Sequence, residues 1–202
     1  MTDNQDTRAA LKESAGVDVS HCYQCGKCSA GCVQAERMDY PPSYVMRLLQ
    51  TGDPADYRTA LTSRTIWLCL NCENCYQRCP MSIDIPAVMD ALRQQALREG
   101  VQHRDARKII AFHRAFLAQV KNTGRLYEVG MEAQYKLSTG EVFQDVSLVP
   151  SMLSKGKLGL FPEGVKDRKA LRRIFDAAAS RSKGAAGRTG GNGKEKKKED
   201  ER

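Results

Sequence analysis

Every cysteine of this 202-residue chain falls in one of two runs with the same spacing, C-x-x-C-x-x-C-x-x-x-C. The first is Cys22, Cys25, Cys28 and Cys32; the second is Cys69, Cys72, Cys75 and Cys79, with Pro80 directly behind it. No other feature restricts the fold as strongly. Three thiols at steps of three call for a tight loop that turns all of them to one side. The fourth sits one residue further on, where the chain is already leaving in a new direction.

That spacing is the ferredoxin run for cubane 4Fe-4S clusters. A cubane offers four iron corners, each taking one thiolate, and the N–H groups of the wrapping loop offset the negative charge of the sulfides. In two-cluster ferredoxins the fourth cysteine of a run ligates the other cluster. Cys22, Cys25, Cys28 and Cys79 are therefore expected to hold one cluster, and Cys69, Cys72, Cys75 and Cys32 a second. Neither run has lost a cysteine, which favours two 4Fe-4S clusters over one 3Fe-4S and one 4Fe-4S. Pro80 fixes the exit of the second run, whereas the first leaves through Val33. Structural zinc sites use separated C-x-x-C pairs, without a trailing fourth. A disulfide framework needs an oxidising compartment, and the opening MTDNQDTRAALKES carries no apolar stretch of a secretory signal. A C-x-x-C redox pair would not need eight cysteines.

Length and charge fit that chemistry. A chain of this size with 41% hydrophobic residues builds one core, with room for an appended helical part. No apolar run approaches a membrane span, so a soluble chain in a reducing cytoplasm, in an anaerobic setting, is expected. The formal charge is +8, of which residues 181–202 carry +4, from eight Lys/Arg and four Asp/Glu. Two oxidised clusters with their thiolates, about −2 each, would roughly neutralise the remaining +4. A nucleic-acid reading needs a basic patch with stacking aromatics or a known module, and the sequence has neither.

The organisation reads as all-α. Residues 1–20 are polar and expected to be a flexible N-terminus. The 36 residues between Cys32 and Cys69 leave room for two helices, which favours a helical dicluster domain over a compact β-ferredoxin. The first helix follows Pro41-Pro42-Ser43, with Tyr44, Val45, Leu48 and Leu49 as its apolar stripe and Gly52 at its end. The second starts at Asp53-Pro54, an N-cap with proline behind it, and faces the core through Tyr57 and Leu61. A helix over about 86–99 has the stripe Ile85, Val88, Met89, Leu92 and Ala96, and Gly100 stops it. Residues 21–100 thus form the cluster-binding domain. Residues 101–179 are read as a helical extension for subunit docking: a helix over 103–122 with Ile109, Phe112, Phe116 and Val120 inward, and a segment 125–138 with Tyr127, Met131 and Tyr135 as core. An irregular stretch over 139–164 includes the apolar loop 149–153, and a basic amphipathic helix spans 165–179. Residues 180–202 are read as a disordered basic tail.

No catalytic constellation is present: no nucleophile elbow, no P-loop, no dinucleotide fingerprint. A cubane with four cysteine ligands has no open iron, so the chain is expected to carry electrons without bond chemistry. His21 beside Cys22 reads as a surface residue with an option on a cluster sulfur. Trp67, two residues before Cys69, reads as a water shield for the second cluster or as core.

Taken together, the runs CYQCGKCSAGC and CLNCENCYQRCP, the helical spacer and Trp67 resemble the C subunit of heterodisulfide reductase. FHRAFLAQVKNTGRLYE at 112–128 and SMLSKGKLGLFP at 151–162 add to the likeness, which covers roughly residues 15–175. The resemblance implies a helical ferredoxin with two 4Fe-4S clusters. It also implies a job: relaying electrons between an A subunit with flavin and Fe-S clusters and a cysteine-rich, Fe-S-bearing B subunit that reduces a disulfide. The adjacent cysteines of the B subunit and the flavin fingerprint of the A subunit are absent. Another reading is the iron–sulfur subunit of a different complex, of the succinate/fumarate, glycolate or glycerol-3-phosphate type. The first of these adds a 2Fe-2S domain for which there is no room, and the others usually carry paired-cysteine repeats, also missing.

Overall fold

A helix needs a start, a stop and one face that water does not reach, and the segment between the two cysteine runs supplies all three twice. A computed structural model describes residues 4–140, 149–155 and 164–188. No strand occurs among the described residues. Helix α1 spans Asn4–Ala15 and the four-residue α2 spans Lys27–Ala30. Helices α3, Pro42–Thr51, and α4, Pro54–Thr62, fill the spacer, and a third piece, α5, Thr65–Leu68, leads into the second run. Next come α6, Asn74–Gln77, and α7, Ile85–Glu99. Then follow α8, Arg107–Thr123, α9, Glu128–Thr139, α10, Val149–Ser154, and α11, Arg168–Arg188.

The start and stop residues work as their chemistry dictates. Asp53 accepts a hydrogen bond from the Ala55 N–H at 2.8 Å, and Asp84 one from the Ala87 N–H at 2.9 Å, each behind a helix with proline in its first turn. Gly52 and Gly100 end α3 and α7 in the left-handed conformation that a residue without Cβ adopts freely.

The chain divides into two units, residues 1–109 and 110–202. In the first, α7 is the central helix and touches α1, α4, α5 and α6. Its stripe Ile85, Val88, Met89, Leu92 and Ala96 is buried throughout. Met46, Leu61 and Ile66, from α3, α4 and α5, are fully buried in the same unit; side chains of this size stabilise by about 1.5–3 kcal/mol each when removed from water. In the second unit Phe112 of α8 meets Tyr135 of α9 edge-on, ring centres 6.2 Å apart, and the Val165 N–H donates to the Thr123 carbonyl at 2.9 Å.

Several expectations need correction. Residues 4–15 are not a flexible terminus. They form α1, which packs on α7 and α4 with Leu11 as its anchor, 2% exposed. One leucine among polar neighbours is a faint signal, and Thr7, donating to the Gly52 carbonyl at 3.5 Å, adds a second tie. The boundary between units falls at 109/110, inside α8, not at Gly100. Residues 149–154 are helical, not a loop. Helix α11 runs past 180 to Arg188, so the expected tail is helix over 180–188; the rest of it, 189–202, lies outside the described residues, as do 141–148 and 156–163 of the irregular stretch.

Candidate iron–sulfur site

The two cysteine runs fold as two copies of one backbone path. Each begins at the end of a short helical turn: Cys22 follows the 3-10 turn Val19–His21, and Cys69 follows α5. In each loop the residue before the second cysteine has positive φ, Gln24 at 57° and Asn71 at 50°. The residue after it does too, Gly26 at 75° and Glu73 at 59°. These left-handed steps curl the chain so tightly that a short helix starts at once, α2 after Gly26 and α6 after Glu73. The third cysteine, Cys28 or Cys75, is the second residue of that helix. The fourth closes a turn just past its end, the Cys32 N–H donating to the Ser29 carbonyl at 3.1 Å and the Cys79 N–H to that of Tyr76 at 3.0 Å.

The copies pack face to face through α2 and α6. Asn74 Nδ2 donates to the Gly31 carbonyl at 2.7 Å. Arg78, at the position in the second copy that Gly31 holds in the first, lies across Gly31, where an added Cβ would come within 2.7 Å of its Cδ. This arrangement produces two openings. One, with about 370 Å³ of empty space including its solvent-filled mouth, is lined by Cys22, Cys25, Cys28 and, from the other run, Cys79. The other, about 410 Å³, is lined by Cys69, Cys72, Cys75 and, from the first run, Cys32. All eight cysteines are thus distributed four and four, three from one run and the last from its counterpart. Ile85, 3% exposed at the start of α7, lines both openings. Among the described residues, no three His, Cys, Asp or Glu side chains gather closely enough for a single metal ion. The thiols ring spaces of multi-atom size, and eight soft sulfur donors suit iron–sulfur chemistry.

Burial shapes the thiols unequally. Cys25 and Cys72 are exposed, Cys28 is buried and the others lie between. Burial pushes the Cys28 thiol up, and it pushes Cys75 up to about 11, with the neighbouring Cys69 and Cys28 adding to the effect. The Cys79 sulfur accepts a hydrogen bond from the Ile83 N–H at 3.3 Å.

Of the two roles expected of Trp67, the structure bears out the core one. It is core, 7% exposed, its indole N–H has no partner, and it lines neither opening. Val33, Met38, Leu70 and Met89 form the apolar wall of the second opening instead. His21 ends the 3-10 turn, exposed. Two residues with no motif were missed. Gln50 Nε2, from α3, donates to the carbonyls of Ser20 at 3.3 Å and Cys22 at 2.8 Å. Arg93, from α7, donates through Nε to the Ile66 carbonyl and through Nη2 to that of Cys69. The available signal was a polar residue at the edge of each helix's apolar stripe.

Within this helical domain, which repeats the cysteine loop around two openings, residues 18–83 match the family described as 4Fe-4S dicluster domain. The chain is similar to the iron-sulfur C subunit of the CoB–CoM heterodisulfide reductase of Methanopyrus kandleri, 32% identical over 102 residues, 50% of this chain and 52% of that protein. It is 37% identical over 90 residues to the C subunit of the ferredoxin:CoB-CoM heterodisulfide reductase of Methanosarcina acetivorans, covering 45% of this chain and 34% of that one. The corresponding protein of Methanosarcina mazei is 28% identical over 170 residues, 83% of this chain and 93% of its own length. The chain thus spans about half of the first of these relatives and about a third of the second. No described helix is long and apolar enough to cross a membrane.

Proposed function

We propose that this chain is the electron-relay subunit of a heterodisulfide reductase-type complex. It would pass electrons between an A subunit bearing flavin and Fe-S clusters and a cysteine-rich B subunit that reduces a disulfide. One observation carries the reading: each opening gathers three cysteines of one run and the fourth of the other. We assign Cys22, Cys25, Cys28 and Cys79 to one 4Fe-4S cluster and Cys69, Cys72, Cys75 and Cys32 to the second. When bound, each cluster supplies reversible one-electron transfer at four-cysteine iron, with no open coordination site for a substrate. The protein's part is to hold eight thiolates and to exclude water with Ile83, Met89 and Ile85, the last of which lines both openings. The likeness to the methanogen C subunits supplies the kind of complex. The same reading places the chain in the reducing cytoplasm, beside partners that carry the disulfide chemistry.

The test is chemical analysis after anaerobic purification with whatever co-purifies. About eight iron and eight sulfide per chain, with flavin-bearing and cysteine-rich partners, is the expected result; zinc without sulfide contradicts it. Cys79→Ser is expected to damage the cluster held by Cys22, Cys25 and Cys28 and to spare the one nearest in sequence. Spectra in which the Cys69 site is lost instead would break the assignment.

A further inference from the structure

The two runs repeat in backbone but not in what grips their first cysteine. At both, a side chain from a following helix donates twice to the carbonyls that end the preceding helical turn, groups a helix leaves without internal partners. At the first site this is Gln50, a neutral amide, on Ser20 and Cys22. At the second it is Arg93, a cation, on Ile66 and Cys69. Because an amide meets the structural need at one site, the positive charge at the other is additional to it. We infer that Arg93 holds the site of Cys69, Cys72, Cys75 and Cys32 at the higher reduction potential of the two, so that an electron entering the chain rests on that side. This rests on the ligand reading proposed above.

The physics is one of charge. Reduction adds one electron to a site without breaking a bond or moving a proton, and a fixed cation nearby favours the more negative form. The Arg93 side chain is only 19% exposed, so solvent screens it weakly. Its partner Asp90, 3.2 Å from Nη1, is half exposed and offsets it in part. Lys27 lines the first opening, but it is exposed and its charge is largely spent on water. Among the described residues, no charged side chain lines the second.

Anaerobic redox titration of the holoprotein, followed by electron paramagnetic resonance, tests this. Iron and sulfide analysis comes first: a chain without two clusters overturns the ligand reading and the inference with it. With two midpoints resolved, Arg93→Gln places at the second site the amide that already serves the first. It is expected to lower the higher midpoint and leave the other in place. Asp90→Asn, which frees the guanidinium of its counter-charge, is expected to raise that same midpoint. A merely structural role for Arg93 gives no such opposite pair. Two midpoints unmoved by either substitution, or movement of the lower one, overturns the inference alone. Should Arg93→Gln shed its iron, the Asp90→Asn shift decides: upward supports, absent overturns.

Discussion

Burial makes two of the eight thiols, Cys28 and Cys75, hold their protons more tightly than an ordinary thiol. Iron–sulfur ligation needs thiolates, so loading the sites releases protons and is favoured as pH rises. Cys75, pushed up to about 11, holds its proton through neutral pH, whereas Cys25 and Cys72 face solvent. In cluster-free protein at pH 8, iodoacetamide is expected to label Cys25 and Cys72 first and Cys28 and Cys75 last. The gap should close as pH approaches 11, because the thiolate is the nucleophile. A mass-spectrometric time course reads this directly, and equal rates at pH 8 would contradict it. Backbone conformation makes a second demand. Gly26 has φ of 75°, a left-handed conformation that a residue with a branched Cβ adopts only under strain. Gly26→Val is expected to cost about 1–2 kcal/mol and Gly26→Asn much less, in the thermal stability of the anaerobic holoprotein. Glu73 already bears that strain at the matching position. The cysteine spacing made the grouping of the thiols legible, three of one run with the last of the other around each opening. Gln50 and Arg93 were not legible, since their partners are carbonyls 24 to 30 residues away.

Two helices that lead toward the sites are capped from a distance. Ser29 Oγ accepts from the Ser43 N–H at 2.8 Å, starting α3. Asp39 accepts from the N–H groups of Arg64 at 2.7 Å and Thr65 at 2.8 Å, starting α5. Burial works to raise the Asp39 pKa, but hydrogen bonds from the Thr65 hydroxyl and from the Arg64, Thr65 and Tyr40 N–H groups outweigh it, and the carboxyl lies below its ordinary 3.8. A lowered carboxylate contributes stability that is present above its unfolded pKa and is lost as pH falls through the folded one. Asp39→Ala is expected to cost about 1–2 kcal/mol near neutral pH and to flatten the loss of stability below pH 4; urea denaturation at both pH values measures it. The local cap Asp53 was readable because its donor lies two residues away. The caps of Ser29 and Asp39 span 14 and 25 residues and exist only in the fold. Faces were harder still. Tyr44 was expected inside α3, but it stacks on Tyr40 at 5.3 Å on the outside and Met46 is buried instead. In α8 the buried apolar positions are Ile110 and Ala115, leaving Phe112 and Phe116 partly exposed. In α9 Tyr127, Met131 and Tyr135 are only half-buried.

At the scale of the whole molecule, the first unit contains every cysteine and the well-buried core, so a chain ending at Ile109 is expected to fold and to take up as much iron and sulfide as the full protein. Residues 110–188 expose Phe112, Leu117, Leu126, Leu137 and Ile174, and loss of partner capture by the shortened chain would assign docking to them. Metal analysis and co-purification of the two lengths check both halves of this expectation; a shortened chain without iron would mean the units depend on each other. All-α character and the cluster chemistry were legible because periodicity and thiol spacing are local. The boundary at 109/110 was not, because a single helix runs through it. Where α2 meets α6, Gly31 and Arg78 occupy the same place in their two copies and lie against each other. Two arginines there would collide, and two glycines would leave the junction empty. Where the repeated halves touch, they therefore differ by complement rather than by chance: one gives up its side chain and the other fills the space it leaves.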